Sequence, residues 1–438
     1  MKLPQKPINH NVLLVKHSQI IFKLLSDPEI AKFIYQLNKE HLHWDELKYK
    51  KMPKDANPEH IWALMKVLRS SQYRRFKFLN WNLKYVLLDE FQMKLHLLDK
   101  ETAGRLGASH DSEGKVFSQK YIISSLMEEA IASSQLEGAA TTRKLAKEML
   151  INNKKPQTYS EKMILNGYRT IRKVVRMKDD QITPDLILAL HKDITEDTLR
   201  DKKYEGVFRD NNEVVVGDPI NIEKIYHQPP DYKEIPKMID EFCKFANNDD
   251  KDFIHPIIKG IILHFLIGYI HPFEDGNGRT ARTLFYWYVL HKGYWLFEFM
   301  AISRIILRSK KRYGLSYLYT ENDENDLTYF IDYQLCCVEE ALHDMEKYIS
   351  RKQEEQHEAM MLIKNIKEIN LRQAEILKEF MKNQDKLYVL KEIMSVYGVA
   401  YDTARNDLLY LTELGYLEKI KVQKKFMFKL SDKKQIQF

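Results

Sequence analysis

Only three cysteines occur in 438 residues, Cys243 and the adjacent pair Cys336 and Cys337, so no disulfide framework can hold this chain together. A reducing compartment, the cytoplasm, is the plain expectation. Long apolar runs are also missing. The longest, Ile257 to Ile270, is too short to span a bilayer and carries Lys259 and His264. Met1 to Asn11 holds no apolar segment of the kind that directs secretion. Nor is there an excess of one charge. The net charge of +7, from 69 Lys and Arg against 62 Asp and Glu, is mild and interspersed, which excludes a global attraction to nucleic acid or membrane. His255 and His264 have no His-Glu-x-x-His spacing and no cysteine pair beside them, so His264 reads as a core histidine rather than a zinc ligand.

The length predicts two or three domains. The densest chemistry lies in His271-Pro272-Phe273-Glu274-Asp275-Gly276-Asn277-Gly278-Arg279-Thr280-Ala281-Arg282, which puts a base, a carboxylate, a glycine-rich turn and two arginines into one short run. Upstream, Pro256 to Ile270 reads as a helix that is apolar almost all round, so His271 sits where a buried helix gives way to a loop. Downstream, Thr280 to Tyr294 reads as a second buried helix. The loop feeds a helix N-terminus, where unpaired backbone N–H groups and the helix dipole favour an anion. Gly276 and Gly278 admit positive φ and a close approach to phosphate. The residues alone describe a polyphosphate cradle with a histidine at its edge.

At every fixed position this run resembles the signature of the Fic family, H-P-F-x-D/E-G-N-G-R-x-x-R, and the resemblance extends over roughly Ser118 to Ile349. It implies a helical core and transfer of AMP from ATP to a Ser, Thr or Tyr hydroxyl of a target protein, the enzyme itself included. His271 would be the general base, because a neutral imidazole can take a hydroxyl proton near pH 7. Asp275 matches the position of the Mg²⁺ ligand, with Mn²⁺ as a substitute. Asn277 and the amides of Gly276 and Gly278 would hold the α-phosphate, and Arg279 and Arg282 would neutralise the β- and γ-phosphates. Phe273 would pack under the loop. Relatives that phosphorylate their target instead resemble H-x-F-x-x-x-N-K-R, with Lys where this chain has Gly278, so nucleotidyl transfer is favoured.

Upstream, Ser133-Ser134-Gln135-Leu136-Glu137-Gly138 resembles the inhibitory pattern S/T-x-x-x-E-G/N of many Fic proteins. Gln119 to Glu137 has helical spacing, with Ile122, Leu126, Ala130 and Leu136 near one apolar face and Gly138 as a left-handed stop. The resemblance implies that Glu137 pairs with Arg282 and so occupies the γ-phosphate site, while Ser133 helps fix the helix. Gly206 to Gly217 reads as strand, Asp210-Asn211-Asn212 turn, strand. The resemblance makes it the flap, whose Glu213, Val214, Val215 and Val216 would pair with an extended target segment. It also places Ser303, Tyr313 and Tyr317 near an adenine pocket, although such residues on a helix also serve as core.

Two flanks remain. Residues 1–115 read as a mostly helical domain, with helices over Ser26 to Glu40, Pro58 to Ser70 and Asn80 to Leu98, and a polar break from Asp111 to Gly114. Residues 351–438 follow the charged run Lys347 to Gln356. There, helices at Asn370 to Met381, Tyr388 to Val396 and Thr403 to Leu414, then strands at Tyr416 to Val422 and Lys425 to Leu430, resemble a winged helix-turn-helix. Such a fold would aim Tyr401, Arg405 and Asn406 at a major groove, with Lys419, Lys421, Lys424 and Lys425 on phosphates. Asp402, Asp407 and Glu413 weigh against DNA and leave protein docking open.

The expectation is a mainly α chain: a Fic domain over 116–350 with a hairpin flap, a helical N-terminal domain and a C-terminal winged helix. Its activity would be that of an autoinhibited adenylyltransferase needing ATP and Mg²⁺, with a homodimer implied by the family and no membrane partner. Removal of AMP by the same site is one alternative. A DNA-binding regulator whose Fic site sets its own modification state is another.

Overall fold

The computed structural model describes residues 2–102, 112–218, 221, 223–248, 253–366, 368–384, 386–422 and 425–431. The fold is mainly α, with few and short strands. Helices α1 (His10–Leu25), α2 (Pro28–Lys39), α3 (Trp44–Leu47) and α4 (Pro58–Ser70) start at side-chain caps. Asp27 accepts from the amides of Glu29 and Ile30, and Asn57 from that of Glu59, with Pro28 and Pro58 at the first helical positions. Ile21, Ile34, Trp44, Leu47 and Trp62 close a small core of their own.

The helix expected over Asn80 to Leu98 is replaced by two elements. Strands β1 (Tyr73–Phe78) and β2 (Trp81–Val86) form an antiparallel hairpin, and only then does α5 (Asp89–Thr102) begin. Two runs rich in Tyr, Phe, Trp and Val favour a pleated surface over a helix. Phe78, Leu83, Tyr85, Phe91 and Leu98 pack into the core of the following domain, so the separate N-terminal core ends near residue 70 rather than 115. A buried polar cluster fastens the two cores: Lys66 bonds Asp323 at 2.7 Å, and Asp326 takes bonds from His41 at 2.9 Å and Tyr73 at 2.7 Å.

Next come α6 (Ser112–Leu136), α7 (Arg143–Ile151), α8 (Tyr159–Arg176) and α9 (Pro184–Thr195). Asp111 lies outside the described residues, and the expected break at Ser112 to Gly114 is already part of α6. The Ile122 side chain lies outside the described residues; Leu126, Ala130 and Leu136 are buried. A two-residue β3 (Val216–Gly217) pairs with β4 (Ile225–His227), and α10 (Ile235–Asn247) follows. At the centre, α11 (Pro256–Ile270) packs along α12 (Asn277–His291). Gly260 permits their approach: a Cβ there would lie 3.1 Å from Val289 and 3.3 Å from Phe285. Because Gly276 takes the N-cap at φ +82°, α12 begins three residues before the expected Thr280.

Helices α13 (Ile302–Arg308) and α14 (Lys310–Asn322) lead to α15 (Thr328–Asn365), which runs through the charged stretch without a break. The C-terminal domain comprises α16 (Leu371–Lys382), β5 (Tyr388–Val389), α17 (Leu390–Tyr397), α18 (Tyr401–Glu413), β6 (Leu417–Val422) and β7 (Lys425–Leu430), the strands ordered β5-β7-β6. Its core, around Leu377, Phe380, Ile393, Leu408 and Phe428, is separate from the others. Among the described residues no helix is long and apolar enough to cross a membrane.

Candidate active site

The site is set by the way α11 ends. His271 closes the helix in the left-handed conformation, φ +50° and ψ +58°, and its N–H still reaches the Ile267 carbonyl at 3.0 Å. Its Nδ1–H donates to the Gly268 carbonyl at 2.9 Å, which leaves Nε2 as the ring atom with a lone pair. Burial pushes the ring down to about 4, with Arg209 and His227 adding to the effect and Glu137 opposing it. The imidazole is therefore neutral at neutral pH.

Three groups hold the loop in shape. Asn277 bridges it, its Oδ1 accepting from the Phe273 amide at 2.9 Å and its Nδ2 donating to the Phe273 carbonyl at 2.8 Å. That side chain is thus engaged within the loop, and the backbone amides at the start of α12 have the capacity to hold an anion. His191, on α9, lies flat against Phe273 with ring centres 3.7 Å apart. It accepts from the Gly206 amide at Nδ1 and donates from Nε2 to the Asp275 carbonyl at 2.8 Å. Arg209 donates from Nε to the His271 carbonyl at 2.9 Å and from its terminal nitrogens to the carbonyls of Asn211 and Pro230. Neither His191 nor Arg209 could be singled out from sequence, because their partners lie 84 and 62 residues away.

Two buried arginines lie in the first two turns of α12. Arg279 is 3% exposed and gives one hydrogen bond, to the Ile194 carbonyl at 3.0 Å, while its Nε and Nη2 make none among the described residues. Asp275 is exposed, with one carboxylate oxygen on the Gly276 amide and the other 4.0 Å from Arg279. An anion against Arg279 and a cation against Asp275 fit this pair of neighbours.

Arg282 is already engaged. Its Nε donates to Ser133 Oγ at 2.9 Å, and its Nη2 donates to the Ser133 carbonyl at 3.0 Å and to Glu137 Oε1 at 2.7 Å. Partial burial alone would raise the Glu137 carboxyl, but Arg282, then Arg279 and Lys310, hold it below the usual carboxylate range. Gly138 at φ +96° ends α6, and the Ala139 amide returns to the Ser134 carbonyl. Lys310 caps the Leu136 carbonyl at 2.6 Å. Gly278 makes room for the carboxylate: a Cβ there would stand 2.2 Å from Glu137 Oε1.

A buried carboxylate on the same helix escaped the sequence reading. Glu129 accepts from the Tyr286 hydroxyl at 2.8 Å, from the Ser303 amide at 2.9 Å and from Ser303 Oγ. Ser303, expected beside adenine, is instead fully buried as the anchor of α6. Tyr313 bonds His264 at 2.9 Å, and Tyr317 stacks on Phe265 with ring centres 5.2 Å apart, so both serve the core here.

The expected hairpin over Gly206 to Gly217 is displaced. Val216 pairs with His227 and Gly217 with Ile225, while Glu213, Val214 and Val215 are outside any strand. The reason is Arg209, whose amide bonds the Pro272 carbonyl at 2.9 Å and ties the would-be first strand to the loop. His227 Nε2 donates to the Tyr269 carbonyl at 2.7 Å, which sets the hairpin beside the end of α11.

In the C-terminal domain, Tyr401, Arg405 and Asn406 are exposed at the start of α18, as are Lys419 and Lys421 on β6. Lys424 lies outside the described residues, as does the Lys425 side chain. Asp407 does not oppose a polyanion, because it is buried and paired with Arg372 at 2.6 Å.

Residues 181–289 match the Fic/DOC family, and residues 372–421 match a DeoR-like helix-turn-helix domain. Among curated proteins, the chain is 22% identical over 262 residues to a protein adenylyltransferase Fic of Nematostella vectensis, which covers 57% of this chain and 56% of the relative. It is 26% identical over 185 residues to that of Drosophila ananassae, covering 42% and 33%. The chain therefore matches a third to little more than half of these relatives' lengths. In fold it is similar to a Fic family protein from Desulfovibrio desulfuricans G20, with a TM-score of 0.50 at 16% identity, covering 79% of this chain and 96% of that one.

Proposed function

From a chain that carries a Fic/DOC family domain at residues 181–289, we propose a protein adenylyltransferase that moves AMP from ATP to a hydroxyl of a protein, itself included, and is held inactive by Glu137. The observation that carries this reading is a neutral, oriented imidazole, His271, on the loop that opens α12, with Arg279 in the first turn of that helix keeping two nitrogens, Nε and Nη2, free of hydrogen bonds among the described residues. His271 Nε2 would accept the proton of the attacking hydroxyl. Attack at the α-phosphorus would form the new P–O bond as the bond to pyrophosphate breaks, and the helix amides and Arg279 would stabilise the charge on both sides.

Asp275, next to those donors, suits a hard cation, Mg²⁺ or Mn²⁺; when bound, such an ion would neutralise charge on the leaving phosphates. Inhibition follows from the Glu137–Arg282 pair, because Arg282 cannot serve a γ-phosphate while it holds Glu137. A second reading, removal of AMP by water, draws on the same feature, a carboxylate reaching into the site from α6. The family resemblance supports a homodimer, and the lack of a disulfide framework in a chain with three cysteines supports a cytoplasmic setting. The exposed Arg405 and Asn406 on a DeoR-like helix-turn-helix favour DNA as a further partner.

The test is incubation of the protein, its Glu137→Gly variant and its His271→Ala variant with α-³²P-labelled ATP, Mg²⁺ and cell lysate. Strong label with Glu137→Gly and little with wild type is the expected result. Equal label with both would remove the inhibitory role of Glu137. No label with any, joined to release of AMP from a pre-modified substrate, would replace transfer by removal.

A further inference from the structure

The face of α6 turned away from the arginines borders a cavity of about 510 Å³ that the active site does not use. Ser124, Ser125 and Glu128 of α6 form one side of it; α7, α13 and α15 close the rest. Five cations line it, Arg143, Lys147, Arg304, Lys347 and Arg351, against two carboxylates, Glu128 and Asp344. Glu128 is shared by Arg143 at 2.6 Å and Lys147 at 3.3 Å, and Arg304 reaches Asp344 only at 4.0 Å. Lys347 and Arg351 have no carboxylate partner among the described residues, and Arg351 lies 5.2 Å from the Tyr348 ring centre. Phe299, Met345 and Tyr348 supply an apolar wall. A concave site of this size, with an apolar wall and two cations, Lys347 and Arg351, that no carboxylate holds among the described residues, suits a small organic phosphate.

We propose that this cavity binds a phosphate ester carrying a ring, the ring on Phe299 and Tyr348 and the phosphate among Lys347, Arg351 and Arg143, and that its occupancy loosens α6. The second half rests on the inhibitory reading of Glu137; the binding does not. Burial alone would push the Glu128 carboxyl up, and Arg143 and Lys147 are what keep it below its ordinary value. A dianion competes for both cations and leaves a buried carboxylate on α6 without compensation. The next residue, Glu129, anchors α6 to Ser303, and Glu137 lies a little over two turns beyond it, about 12 Å along the helix. The ligand is therefore an activator: it binds better to the state in which α6 has moved, and by linkage it favours that state.

Calorimetry on the full chain with phenyl phosphate and with inorganic phosphate tests the binding. Phenyl phosphate should bind wild type and Arg279→Ala alike and lose at least tenfold in affinity in Lys347→Glu/Arg351→Glu, whose changes lie on the exposed side of α15. Inorganic phosphate should bind more weakly than the ester. No binding of either, or loss in Arg279→Ala instead, overturns the site. For the coupling, phenyl phosphate should raise self-labelling of wild type several-fold and leave Glu137→Gly unchanged. Binding without that rise overturns the coupling alone. If Glu137→Gly is no more active than wild type, the inhibitory reading fails while the calorimetric result stands.

Discussion

The Glu137 carboxylate rests directly over Gly278, with Oε1 2.7 Å from Arg282 Nη2 and 2.2 Å from where a Cβ on residue 278 would be. The glycine is thus a seat for the carboxylate as well as part of the first turn of α12. Gly278→Ala should expel Glu137 and free Arg282. Nucleotide affinity measured by calorimetry should then rise about tenfold, as expected when a blocked state is removed. In a Glu137→Gly background the same change should add nothing. A weaker affinity in that background would mean that the methyl group itself obstructs the phosphates.

Arg209 ties the His271 carbonyl to those of Asn211 and Pro230, so its loss leaves three half-buried acceptors without a donor. Arg209→Ala should cost about 2–3 kcal/mol of stability and lower the labelling rate of Glu137→Gly more than tenfold. Arg209→Lys should not rescue it, because one ammonium cannot span the fork. Denaturant midpoints and initial rates read both effects; a rate unchanged by either variant would sink the role.

Activity should survive acid further than an ordinary histidine allows. With the His271 ring held down at about 4, it stays unprotonated as pH falls through the usual range near 6.5. Labelling by Glu137→Gly, followed wherever the circular dichroism is unchanged, should be flat from pH 7.5 to about 5. An acid limb centred near 6.5 would contradict the buried neutral ring.

Stability has its own pH dependence. Burial holds His191 at about 4 and His264 at about 3, below the unfolded value near 6.5, so the unfolded chain binds more protons in between. Their contribution is complete above about pH 6.5 and is lost as pH falls toward 4, at about 1.4 kcal/mol per pH unit for each ring. Thermal midpoints should fall over that interval, with a shallower slope in His191→Asn. An equal slope in that variant would assign the acid lability elsewhere.

Arg405 projects from the exposed face of α18, away from the domain's core. Arg405→Ala should weaken binding to duplex DNA selected from a random pool, by about 1–3 kcal/mol if it reads a base, and leave self-labelling unchanged. Absence of any duplex binding by the wild type would turn this surface toward protein.

The loop and its two helices were legible because an all-apolar stretch, a histidine and a glycine turn follow one another without interruption. The end of α6 was legible too, because Gly138 marks it. Propensity misled where tertiary bonds outweighed it. Val207-Phe208 and Val214 to Val216 read as two strands, yet Arg209 gives the first to the loop. The hairpin at Tyr73 to Val86 was missed for the opposite reason, a propensity for strand passed over within a helical flank. His191 and Glu129 were invisible because what makes them matter comes from distant parts of the chain: Asp275 for one, Tyr286 and Ser303 for the other.

The backbone at His271 bears on how an inert protein should be made. Alanine at φ +50° meets a steric penalty of about 1–2 kcal/mol, and Pro272 directly after it narrows the alternatives. A dead His271→Ala variant therefore mixes loss of the ring with a loosened loop. Asparagine tolerates the left-handed turn and carries no base at the Nε2 position. His271→Asn is the cleaner trap, one able to keep nucleotide and partner in place without turnover.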